Sequence, residues 1–148
     1  MHLDGTLEIA APRERVWDAL IDPRAVSVCI SGAGQVAIKV VDETHIQVAG
    51  RVGTGFIKLP AYAELTFTTR DAPEQARVAI HGQAAGNTLE ATATLELRAI
   101  DGASTAVRWS ADTSLRGPMA SMGEGMIRRS GAGAVDRVLA CMKARLEA

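Results

Sequence analysis

The chain has 148 residues, 47% of them hydrophobic and 22% charged, with a formal net charge of −1. These values fit one globular domain spanning 1–148, exclude disordered and collagen-like classes, and leave no overall basic surface for nucleic acid. Rings are scarce: Trp17, Phe56, Tyr62, Phe67 and Trp109 make up 3%, whereas alanine fills 26 positions.

Leu3, Leu7 and Ile9 mark a first strand by apolar alternation. Pro12 opens a helix with Glu14 in its first turn and Val16, Trp17, Ala19 and Leu20 as an apolar stripe, and Asp22-Pro23 then caps a second short helix through about Val28. Val36, Ile38 and Val40, then Ile46, Val48 and Val52, form two strands about an Asp42-Glu43 turn. Past Gly53-Thr54-Gly55 come Ala63, Leu65 and Phe67, then Val78 and Ile80 after the turn Asp71-Ala72-Pro73-Glu74. Alternation is strictest from Thr88 to Ile100, after a Gly86-Asn87 turn. There Leu89, Ala91, Ala93, Leu95, Leu97 and Ala99 interleave with mostly polar residues. Asp101-Gly102 joins this run to Val107, Trp109, Ala111 and Leu115 as a hairpin. The total is seven antiparallel strands.

From near Pro118 to the end, Met119, Met122, Met126, Val138, Leu139, Met142 and Leu146 recur at helical spacing. Gly123, Gly125, Gly131 and Gly133 each cost about 1 kcal/mol in a helix interior. Either the helix breaks there or packing compensates. A continuous helix of roughly 30 residues would span about 45 Å, enough to cover a small sheet.

The sequence offers little catalytic chemistry. His2, His45 and His81 are scattered, with the last two on outward-facing strand positions, and no metal-ligand spacing occurs. Gly53-Thr54-Gly55 lies between strands, so no helix N-terminus backs it to hold a phosphate. Cys29 and Cys141 stand far apart in sequence and read as free thiols in a reducing compartment, Cys29 as a buried inert one. With neither a basic-apolar leader nor an 18-residue apolar run, the expected location is the cytoplasm.

What the sequence does offer is adaptable apolar surface. Met119, Met122 and Met126 form either a plain core stripe or the wall of a pliable pocket, because methionine fits irregular shapes. Leu65, Phe67, Leu97 and Trp109 share one sheet face and would form the opposite wall, while Phe56 and Leu59 belong to a glycine-flanked segment that is an entrance lid or a strand start. Residues 116–148 carry a balance of +3 against −4 for the remainder. Their cations, Arg128 and Arg129 among them, are a solvated helix face or an approach to an anionic membrane or acidic partner.

The block from Gly5 to Pro23, with Ala11-Pro12 and Arg15-Val16-Trp17, followed by Cys29-Ile30-Ser31-Gly32, resembles the CoxG family of carbon monoxide dehydrogenase subunits, within the START-like, SRPBCC superfamily. Gly50-Arg51-Val52-Gly53-Thr54-Gly55 and the run from Glu90 to Leu97 extend the likeness over essentially the whole chain. Ser31 stands where proline is usual in the family and Ala33 where a second cysteine is usual. The resemblance implies an α+β helix-grip fold, in which a curved seven-stranded antiparallel sheet wraps a long C-terminal helix around a hydrophobic cavity, with two short helices between strands 1 and 2. It further implies a noncatalytic accessory of a molybdenum hydroxylase of the carbon monoxide dehydrogenase type, aiding membrane recruitment or electron-carrier delivery. The expected ligand is a lipid or quinone, with no covalent cofactor. The same fold also serves polyketide cyclase and aromatase enzymes, the alternative reading.

Overall fold

The computed structural model describes residues 1–31, 36–52, 59–118 and 120–148, without the side chains of residues 31, 52, 59, 121–124, 126, 127 and 129–132. The elements run β1 (His2–Ile9), α1 (Arg13–Leu20), α2 (Pro23–Ser31), β2 (Val36–Asp42), β3 (His45–Val52), β4 (Leu59–Asp71), β5 (Gln75–Ala84), β6 (Asn87–Asp101), β7 (Ser104–Arg116) and α3 (Ala120–Glu147). All seven strands pair antiparallel in one sheet of order β1-β7-β6-β5-β4-β3-β2.

Hairpins connect β2 through β7 because turn residues punctuate the alternation. Asp42 accepts from the Thr44 amide and hydroxyl, and Asp101 accepts from the Ala103 amide. Between β5 and β6, Ala85 and Gly86 both take positive φ, at 51° and 79°, the handedness that a two-residue hairpin needs to match strand twist. The alternation in β6 holds through Leu97 but stops short of Ala99, which is exposed. The register shifts between Ala99 and Asp101, ending the regular inward and outward order.

Helix α1 starts at Arg13 behind Pro12 and buries Val16, Trp17 and Leu20. The Arg24 amide donates to Asp22 Oδ1, the expected cap, and α2 continues past Val28 to Ser31. α3 is one helix of 28 residues, about 42 Å long at 1.5 Å per residue. The glycines therefore do not break it.

The buried cluster joins Ile9, Val16, Trp17, Leu20, Leu97, Val107, Trp109, Leu139 and Met142. Trp109 within it is 2% exposed. Gly5 lies directly opposite in β1, and a Cβ on residue 5 would stand 2.5 Å from Trp109 Nε1. The indole occupies the space that a side chain would need.

Free thiols are not what the fold contains. Cys29 in α2 and Cys141 in α3 are joined in a disulfide with Cα atoms 5.7 Å apart. Their separation of 112 residues misleads because pairing depends on distance in space, and α2 and α3 pack against each other.

Candidate functional site: an apolar pocket on the inner sheet face

Register sorts the inner-face residues by size. One group of rows carries Leu95 beside Trp109 and Leu97 beside Val107, and these large groups pack with α1 and the C-terminal half of α3. Moving along the strands, Phe67 faces Val78 and Leu65 faces Ile80, all four on the same face. Further along, the rows become Val48-Ala63-Gly82-Leu89-Leu115 and Val36-Gly50-Ala61-Ala84-Asn87. Five neighbouring inward positions thus hold only glycine or alanine.

The small floor bounds a cavity of about 300 Å³ lined by the inward residues Val36, Val48, Gly50, Ala61, Ala63, Gly82, Ala84, Leu89 and Leu115 with Asn87, and bordered by Arg51, Tyr62 and Gln83, whose side chains alternate to the other face. Gly82 is central. A Cβ there would meet only Tyr62 O at 3.6 Å and the Leu89 side chain, both ordinary contacts, so its missing side chain is free volume. The described lining contains no Asp, Glu or His.

Of the residues that the sequence singles out, Trp109 and Leu97 sit in the packed core. Leu65 and Phe67 are half-buried between that core and the small floor, with the Arg70 guanidinium 5.4 Å from the Phe67 ring centroid. Phe56 and Met119 lie outside the described residues, and so do the side chains of Leu59, Met122, Met126 and Arg129. Arg128 is exposed and has an interaction partner. The glycine and alanine floor is what sequence reasoning missed: each residue is unremarkable in its own strand, and only the register brings the five together.

The opposite face carries a polar network. Tyr62 donates its hydroxyl to Glu64 at 2.5 Å, and Gln47 donates to the same carboxylate at 3.2 Å. The Tyr62 bond, first among its causes, holds the Glu64 pKa below its ordinary value and raises that of Tyr62. His81 pairs with Glu90, and His45 Nε2 stands 3.8 Å from Glu64. Both histidines therefore lie outward, as the alternation predicts, against carboxylates. Among the described residues no group of three or more His, Cys, Asp or Glu is arranged to hold a metal. A wider groove of about 780 Å³ at the other end of the sheet mixes Glu8, Glu74 and Glu96 with Arg13, Arg98 and Arg108. Its mixed charge does not suit an apolar ligand.

A curved antiparallel sheet with a long terminal helix packed on it and an apolar cavity on the same face defines a START-like helix-grip protein. Residues 5–147 match the CoxG family of carbon monoxide dehydrogenase subunits, and the chain belongs to that family. Its fold is similar to a conserved protein from Geobacillus kaustophilus (18% identity, TM-score 0.84, covering 99% of this chain and 95% of that one). It is also similar to a START superfamily protein from Mycobacterium smegmatis (10%, 0.72, 99% and 97%) and to the Zhui aromatase/cyclase from Streptomyces sp. R1128 (16%, 0.67, 100% and 96%). Comparison with curated protein sequences gives no match. Among the described residues no helix is long and apolar enough to cross a membrane.

Proposed function

We propose that the chain acts as a single unit that holds a hydrophobic, lipid- or quinone-like molecule without transforming it, as an accessory to a carbon monoxide dehydrogenase-type molybdenum hydroxylase. The observation that carries this reading is the apolar cavity of about 300 Å³ over the glycine and alanine floor. Covering an apolar tail there contributes about 25 cal/mol per Å² removed from water. Leu65 and Phe67 extend the same face beyond the floor and would take the far end of a longer tail. Phe56, Leu59, Met119, Met122 and Met126 are proposed as the remaining apolar contacts.

Membership of the CoxG family supports the link to the molybdenum enzyme. The accessory would work in the cytoplasm, with Arg128 and Arg129 turned toward the anionic inner face of the membrane during membrane recruitment or delivery of the electron carrier. Native mass spectrometry and lipid extraction of the purified protein test the reading. A noncovalent adduct, or stoichiometric uptake of a menaquinone or ubiquinone analogue, is expected. Empty protein that also takes up neither analogue overturns it.

A further inference from the structure

Helix α2 sits between α3 and the β2 edge of the sheet and touches β2, β3 and α3. The next element in the chain is β2, whose Val36 lines the apolar pocket. α3 is independently fastened near its end: Met142 is buried in the core, Lys143 Nζ donates to Glu8 O at 2.7 Å, and Glu147 accepts from the Ala10 amide at 2.8 Å. α2 buries Pro23 and Cys29 and packs Ala25 and Val26 against the core, while Val28 is 47% exposed. Its covalent tie to α3 runs through that same Cys29.

We infer that the Cys29–Cys141 bridge is a redox-reactive site, opened by a dithiol reductant and closed by a disulfide oxidant, that sets how firmly the β2 wall of the pocket is held. Cys29 is 3% exposed whereas Cys141 is only partly buried, so an incoming thiolate attacks the Cys141 sulfur. The S–S bond breaks and Cys29 leaves as a thiolate that takes a proton from solvent. The reductant's second thiolate then displaces Cys141 from the mixed disulfide. Two electrons have passed to the protein, which ends with two thiols, and the dithiol ends as a disulfide. Because Cys29 departs into apolar surroundings that disfavour a thiolate, the first step is slow and the second thiol is needed to complete it. For a protein working in the cytoplasm, as proposed above, such a bridge is ordinarily transient and redox-sensing. The consequence for a bound molecule rests on the reading that the pocket holds an apolar ligand, whereas the effect on β2 does not.

The full chain, purified without reductant, is alkylated under denaturing conditions before and after dithiothreitol, and amide hydrogen exchange is followed by mass spectrometry in both states. No alkylated cysteine before reduction and two after it are expected, with exchange about tenfold faster across residues 23–31 and 36–42 and unchanged in β5 to β7. N-phenyl-1-naphthylamine bound to the oxidised form should dissociate about fivefold faster after reduction. Two free thiols before reduction, or exchange at 36–42 unaltered by it, overturns the inference. So does loss of protection throughout the sheet, since the bridge would then hold the whole fold. If the probe binds neither form while β2 still responds, the ligand reading fails and the redox site stands.

Discussion

Two inward glycines have opposite meanings. At Gly5 the neighbour is the buried Trp109 ring, which cannot swing away, so Gly5→Ala forces the indole or strand β1 to shift. Overpacking of this kind costs about 1–3 kcal/mol, and urea denaturation should show it as a lower midpoint with an unchanged slope. At Gly82 the space is open and a side chain is tolerated. Gly82→Val should leave the urea midpoint nearly unchanged while filling the pocket, and titration with a quinone analogue should show a loss in affinity of about tenfold or more. Equal affinity in the variant would place the ligand elsewhere. Neither role is legible from the sequence, where both glycines interrupt otherwise alternating strands in the same way. The difference is a property of the partner strand: β7 brings an indole to one, and β6 brings Leu89 at ordinary contact distance to the other.

At the scale of elements, the apolar period places every strand and helix because each buries one face, a demand written locally into the chain. α3 shows where local propensity yields. It remains helical through Gly125 and Gly133, although a Cβ at Gly125 would meet nothing within 4 Å and one at Gly133 only the Arg137 guanidinium at 3.6 Å. Packing at these two sites does not require glycine, so Gly125→Ala should raise the free energy of unfolding by about 1 kcal/mol, measurable in the same urea titration. The cysteine pair shows the complementary failure. Composition and spacing favour thiols, yet pairing follows from α2 and α3 packing together, a tertiary fact with no local signature. Replacing both cysteines by serine should reproduce the reduced state, with amide exchange raised across α2 and β2, leaving the sheet's far-UV circular dichroism in place.

Over the whole molecule, the scarcity of rings acquires a spatial meaning. Trp17 and Trp109 are spent on the filled end of the inner face, and glycine and alanine are gathered at the other end, so low aromatic content becomes an uneven distribution of volume. The presence of an apolar gap is readable from composition and alternation. Its address is not, because it needs the register of six strands, β2 to β7. β1 is an edge strand of the open sheet that the rest of the chain secures at both ends. His2 bonds Asp112 at 2.9 Å at one end, and beyond the other the Ala10 amide donates to Glu147. The Ala10 amide, followed by Lys143, depresses the Glu147 pKa. This contribution is therefore present above the unfolded value of about 4.3 and is lost as pH falls through the lower folded value. His2 has the opposite sign: the Asp112 hydrogen bond raises its pKa, so its contribution is complete below about pH 6.5 and is lost as pH rises through the folded value. Stability measured against pH should decline on both sides of an interval between these two titrations. Glu147→Gln should lessen the acid limb, to which Asp42 and Glu64 also contribute, and leave the other unchanged, whereas His2→Gln should lessen only the limb above neutrality. If each variant leaves its own limb unchanged, these ties do not govern how firmly β1 is held at the sheet edge.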